Sequence, residues 1–294
     1  MTKADSTPSG TMAAAPAAPL AHHLKQLKPP TVLREHEKVA REAARDGVDH
    51  VRHLLRLVEL ELLDRERRGA ERRIRETRFP AVKSLDTFDF ATIPSLNKML
   101  VLELARSEYV VRRDNVIALG NSGTGKTHVA LALGLAACQR GFSTLFVTAH
   151  GLSSQLLEAR DEKRLLKLQA QLQNVKLPIV DELGYVPLSQ VGAELLFEVF
   201  SQRYEHGSTI VTSNLPFEEW PSVFRSERLT GALRDRLTHH VHILERNGES
   251  YRLRQPAGRR RAARAEQNNA ASRSDPAAAS GEHDHNPAAV NQPS

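Results

Sequence analysis

Residues 120–128 read Gly-Asn-Ser-Gly-Thr-Gly-Lys-Thr-His. The spacing matches Gly-x-x-x-x-Gly-Lys-Thr, and each residue type has a mechanical use toward a polyphosphate. Glycine lets the backbone take positive φ and bring N–H groups against phosphate oxygens. A helix beginning where the loop ends adds its N-terminal dipole. Lys126 reaches the outer phosphates as a point charge, and the Thr127 hydroxyl suits a Mg²⁺ ion. Gly120, Asn121, Ser122, Gly123, Thr124, Gly125, Lys126, Thr127 and His128 are therefore the expected nucleotide-binding segment. A bare glycine-rich turn is the plain alternative; the apolar run before the loop and the helical pattern after it argue against that.

A second group lies downstream. Leu-Pro-Ile-Val-Asp-Glu at 177–182 is an apolar run ending in two carboxylates. Asp181 is expected to hold Mg²⁺ and Glu182 to polarise a water for attack on a γ-phosphate. Such a pair points to hydrolysis, since a small-molecule kinase activates a substrate hydroxyl and needs no water-activating glutamate. Asn214, after Ile-Val-Thr-Ser, either orients that water or forms the turn before Leu215-Pro216. Arg234 and Arg236 in Ala-Leu-Arg-Asp-Arg-Leu either meet phosphoryl charge in trans or belong to a solvated helix face.

These residues need a scaffold, and the apolar periodicity supplies one. Runs at 115–120, 143–149, 177–182, 208–214 and 240–246 read as strands. Helical patterns separate them, over 125–139, through 152–172, over 192–206 and over 231–237. Strands alternating with helices imply an α/β fold whose parallel sheet is covered on both faces. Upstream, residues 22–78 read as helical. Val51, Leu54, Leu55, Val58 and Leu62 recur on one face, as an expected core stripe. Asp46-Gly47 separates two helices there, Phe79-Pro80 ends the pattern, and Ser-Leu-Asp-Thr-Phe-Asp-Phe at 84–90 reads as a connector.

With 294 residues, the chain has room for one ordinary domain and a smaller one. The expected division is a 1–20 disordered segment, a 21–80 helical domain, an 81–255 ATPase domain and a 256–294 disordered basic tail. Both ends are rich in Ala, Pro, Ser and Gly and cannot bury enough surface to offset the entropy of ordering. Aromatic residues are 5% of the chain, so aliphatic side chains must fill the core. The single cysteine, Cys138, excludes an intrachain disulfide and reads as core packing. No run approaches the ~20 apolar residues of a membrane span. A reducing cytoplasm is the expected compartment. The histidines at 22–23, 283 and 285 lack partners at zinc-ligand spacing, so Mg²⁺ is the only metal expected.

Taken in order, "RFPAVKSLDTFDF", "GNSGTGKTHVALALG", "STLFVTAHGL", "VDELGYVPLS", "GSTIVTSNLPFEEW", "LRDRL" and "GESYRLR" resemble the IstB-like ATP-binding proteins. Those are helper ATPases of insertion-sequence transposition, similar to DnaC-type helicase loaders within the AAA+ class. The resemblance spans roughly residues 24–254. It implies an AAA+ P-loop core with sheet order 5-1-4-3-2 behind a small all-α N-terminal domain. It implies ATP-dependent homo-oligomers on duplex DNA that deliver the DNA to a partner transposase; the alternative is a DnaC-like helicase loader in replication. By position it makes Lys126, Glu182, Asn214 and Arg236 catalytic, with Thr127 and Asp181 on Mg²⁺. The 84–90 connector then lines the adenine pocket.

The net charge of +6 permits a polyanionic partner. Arginines cluster at 65, 67, 68, 72, 73, 75 and 78, and again at 259, 260, 261 and 264. The first cluster is either a duplex-backbone contact or an ion-paired helix face, as the Glu71–Arg75 spacing allows. No aromatic residues interleave with either cluster, which disfavours single-strand stacking and leaves backbone-directed, nonspecific duplex binding.

Overall fold

A computed structural model of the chain describes residues 17–246. Three helices come first: α1 (Ala17–Leu27), α2 (Pro30–Arg45) and α3 (His50–Thr77). The first begins at Ala17, inside the stretch whose composition reads as unordered. The arginine-bearing tail and the "YRLR" segment lie outside the described residues.

Helix α3 has a mixed face covered by α2 and an apolar stripe that α2 does not cover. Leu57 and Glu61 are buried against α2, where the Glu61 carboxylate accepts the Thr31 and Val32 amides at 2.8 and 3.2 Å. A carboxylate at this helix start satisfies first-turn N–H groups that the Pro29-Pro30 entry cannot cap itself. The stripe read as core, Val51, Leu54, Leu55, Val58 and Leu62, is exposed. Periodicity marks an apolar face without saying which of two faces α2 covers. At its far end α3 joins the main core: Arg73 Nε donates to the Cys138 carbonyl at 2.8 Å, and the Thr77 hydroxyl meets Thr144 Oγ1 at 2.5 Å.

After the connector and the short helices α4 (Lys98–Leu104) and α5 (Glu108–Arg112), strands and helices alternate. They run β1 (Asn115–Gly120), α6 (Lys126–Gln139), β2 (Thr144–Thr148), α7 (Ala149–Asp161), α8 (Leu165–Asn174), β3 (Leu177–Leu183) and α9 (Gln190–Arg203). Then follow β4 (Ile210–Ser213), α10 (Trp220–Phe224), α11 (Glu227–Thr238) and β5 (Val241–Arg246). All five expected strands form, within one or two residues of their expected bounds. The expected helix through 152–172 is two helices, broken where Lys163 takes φ 57.

The sheet is parallel throughout, in the order β2-β3-β4-β1-β5. Read from the other edge this is 5-1-4-3-2, the order the resemblance implies for an AAA+ core. Alternation along β1 sends Ile117 to one face, with Leu152, Leu196, Phe200, Trp220 and Phe224 from α7, α9 and α10. Val116 and Ala118 go to the other face, with Val129 and Leu133 of α6 and Val101, Leu104 and Tyr109. Helix α6 lies close on the sheet at Gly134, where an added Cβ would stand 2.5 Å from Ile179 Cδ1.

Candidate nucleotide site

The glycine loop leaves the carboxyl end of β1, which lies between β4 and edge strand β5, and turns directly into α6. Gly123 and Gly125 take φ 80 and 82, a region glycine enters without steric cost. Gly125 is also the cap residue of α6. A glycine has no side chain to accept the first-turn amides, so they remain directed at whatever the loop encloses. The turn is braced internally, with Thr124 Oγ1 donating to the Asn121 carbonyl at 2.9 Å. Lys126 is 9% exposed, and its ammonium donates to the Gly120 and Asn121 carbonyls at 2.5 and 2.8 Å. The lysine thus folds back over the loop, its ammonium on the loop's own carbonyls.

Beside the loop stands the carboxylate pair. The Thr127 hydroxyl donates to Asp181 at 3.0 Å to Oδ1 and 3.1 Å to Oδ2. Asp181 is 3% exposed and also accepts from Thr212 Oγ1 at 2.5 Å. Its neighbour behaves differently. Glu182 takes φ 60, a left-handed conformation that costs an L-residue about 1 kcal/mol or more. The ladder between β3 and β4 is irregular there: Val180 opposes Val211 and Leu183 opposes Ser213. Two residues, Asp181 and Glu182, therefore face one, Thr212, and this bulge re-aims the strand end. Asp181 stays buried and Glu182 becomes exposed.

A cavity of about 570 Å³ collects these groups. Ser122 to His128, Glu182, Thr212 and Asn214 line one side. Thr87, Phe88 and Asp89 of the connector line another, with Ile93 and Leu131 as apolar wall. The connector is held by His128, whose Nε2 lies 3.1 Å from the Ser84 carbonyl and whose ring packs edge-on to Phe88 at 5.1 Å. Asn214 Oδ1 is buried and has no hydrogen-bond partner among the described residues. The turn that follows is closed by its neighbour: Ser213 Oγ accepts the Leu215 amide at 3.1 Å and donates to the Leu183 carbonyl at 2.7 Å. That leaves the Asn214 side chain to the cavity.

Arg236, expected to act in trans, lies outside the cavity of its own chain. Arg236 hydrogen-bonds Ser201 Oγ and lies 5.0 Å over the Phe197 ring, so its guanidinium joins α11 to α9 of its own chain. It follows buried Leu233 by three positions, which turns it toward α9. Arg234, two residues earlier and so about 200° round the helix, is exposed. The cavity also includes Lys83, Tyr185 and Thr212, which sequence reasoning did not single out. Lys83 and Tyr185 lie in irregular segments that no periodicity addresses. Thr212 reads as an ordinary strand residue until the bulge opposite it is seen.

The first arginine cluster is largely neutralised. Arg65 and Arg68 pair with Glu61, Arg67 with Asp64 and Glu71, and Arg72 with Glu76. Arg75 and Arg78 are exposed and form no ion pair among the described residues.

A parallel sheet in this order, with a glycine loop after the strand next to its edge and a carboxylate pair on the strand two places across, is the arrangement of a P-loop nucleotide-binding protein. The sequence model of the IstB-like ATP binding protein family matches residues 22–259, and the chain belongs to that family. It is 37% identical over 226 residues to the insertion sequence IS5376 putative ATP-binding protein of Geobacillus stearothermophilus, covering 77% of this chain and 90% of the relative. To the IS21 putative ATP-binding protein of Pseudomonas aeruginosa it is 39% identical over 219 residues, covering 74% and 83%. Among solved structures, the DnaC helicase loader aligns with 50% of this chain and 86% of that chain, at 23% identity and TM-score 0.41. No described helix is long and apolar enough to cross a membrane.

Proposed function

We propose that this protein binds and hydrolyses ATP as a helper of DNA transposition, assembling on duplex DNA and presenting it to a partner transposase. The observation that supports hydrolysis most strongly is the bulge, which keeps Asp181 bonded to Thr127 while turning Glu182 out to the cavity. Loop amides and Lys126 hold the phosphates of ATP, and Phe88, Ile93 and Leu131 receive the base. Thr127 and Asp181 offer adjoining hard oxygen donors, a set that fits Mg²⁺, and these two would hold it. Bound there, the ion neutralises charge on the phosphates. Glu182 orients and deprotonates the attacking water, and Asn214 supplies a second polar contact to it.

The insertion-sequence relatives support the transposition role. Exposed Arg75 and Arg78 offer cations for phosphate contact outside the ion-paired part of α3. An arginine of a neighbouring copy completes the site in the ATP-bound oligomer. Arg234 is exposed while Arg236 bridges its own helices, so comparing Arg234→Ala with Arg236→Ala separates the two.

Phosphate release from ATP by the full chain, with and without duplex DNA, tests this reading. Turnover is expected to rise with DNA, to disappear in Lys126→Ala, and to fall ~10²–10⁴-fold in Glu182→Gln. Turnover unaffected by Lys126→Ala overturns the site. Turnover indifferent to DNA, with no DNA retained in the presence of ATP, overturns the transposition role.

A further inference from the structure

Thr212 occupies a position that neither the loop motif nor the carboxylate pair predicts. It is the one residue of β4 that faces the two bulged residues of β3. Its hydroxyl is used twice. It donates to Asp181 Oδ1 at 2.5 Å and accepts the Glu182 amide at 3.0 Å. A bulge leaves its extra residue without a ladder partner, and an unpaired amide at a buried strand end is costly. The Thr212 oxygen takes that amide in place of the missing carbonyl. Because Thr212 is 1% exposed, water cannot readily substitute for it.

We propose that Thr212 is a positioning residue for ATP hydrolysis, holding the left-handed conformation of Glu182 and the carboxylate of Asp181 in one fixed relation. The assignment rests on the hydrolysis reading above and deepens it. One hydroxyl registers the two carboxylates against each other, so the group that activates water and the group that faces Thr127 cannot drift independently. Asn214 follows directly on the end of the strand that carries Thr212. Glu182 and Asn214 of the cavity, and Asp181 beside it, are thus set around the short stretch where β4 meets β3. Glu182 has no side-chain hydrogen bond or ion pair among the described residues, so its direction depends on its backbone, whose amide is held by the Thr212 oxygen and whose carbonyl accepts the Tyr185 amide at 3.2 Å.

The test compares Thr212→Val, which keeps the shape and removes the hydroxyl, with Thr212→Ser, which keeps the hydroxyl. In Thr212→Val, kcat is expected to fall by about 10²-fold, the scale of a misplaced reacting group. KM for ATP should move less than ~3-fold, because the loop and Lys126 are untouched, and Thr212→Ser should stay within ~3-fold of the parent on both. Amide hydrogen exchange at Glu182, read by NMR, supplies a measure independent of turnover. Exchange there should accelerate in Thr212→Val and not in Thr212→Ser, with Val180 and Val211 unchanged in both. Unaltered exchange at Glu182 in Thr212→Val overturns the proposal, as does a fall in kcat that Thr212→Ser shares. A parent protein without turnover overturns the hydrolysis reading instead, and the exchange data still decide whether Thr212 holds the bulge.

Discussion

Glu182 is expected to be a site where activity is held at the expense of stability. Its φ of 60 costs an L-residue roughly 1–2 kcal/mol. Glycine relieves that strain but adds freedom to the unfolded chain, a penalty of about 0.4–1 kcal/mol. The difference favours Glu182→Gly by up to about 1.6 kcal/mol, with ~0.8 kcal/mol at the middle of both ranges. Nothing else in the fold opposes it: the side chain is exposed and unpaired among the described residues, and the amide bond to Thr212 survives. Glu182→Ala is the control, since it removes the carboxylate and keeps the Cβ that causes the strain. Both variants should lose turnover ~10²–10⁴-fold, whereas only the glycine variant should unfold at higher urea. Trp220, the only tryptophan in the chain and fully buried, reports the unfolding by fluorescence. Should Glu182→Gly prove no more stable than Glu182→Ala, the strain argument is refuted. Should it retain turnover within ~10-fold of the parent, the base role of Glu182 is refuted.

Arg203 anchors the start of β4 from beneath: its guanidinium donates to the carbonyls of Leu172, Val175, Lys176 and Ser208 and to the Thr209 hydroxyl. Burial pushes its pKa down to about 10, still far above neutrality. Arg203→Met strands at least the buried Leu172 and Ser208 carbonyls, so urea denaturation should show a loss of about 2–5 kcal/mol; a loss below ~1 would show water replacing the guanidinium. Acid should loosen the α2–α3 pair. The Thr31 hydroxyl, then Arg67, hold the Asp64 carboxyl down to about 2. Burial works against the Glu61 charge, but hydrogen bonds from Arg65 and from the Thr31 and Val32 amides outweigh it, leaving that carboxyl below its usual range. For depressed carboxyls the stabilisation is complete above the unfolded value near ~4 and is lost as pH falls toward the folded one. Helicity of the N-terminal region should therefore decline between those limits, and Asp64→Asn should flatten the profile; an unchanged profile in that variant counts against the linkage.

Much of this molecule is decided locally, and the sequence by itself determined that part. The glycine loop, its lysine and threonine, and the strand–loop–helix context depend on residues within a dozen positions of one another, so their spacing carries them. The same holds for the strand ending in Asp181 and Glu182, and for the alternation that makes the sheet parallel. Only the tertiary structure decided which distant groups meet. The Thr212 hydroxyl matters because β4 lies beside β3 with one residue opposite two, a register no single strand encodes. Arg236 turns to Ser201 because α9 packs against α11. The stripe from Val51 to Leu62 is exposed because α2 covers the opposite face of α3. Lys83 and Tyr185 reach the cavity from irregular segments whose paths follow from packing on the finished sheet. Local periodicity fixes the elements and their chemistry; register and facing depend on contacts between residues far apart in the chain, which only the assembled core selects.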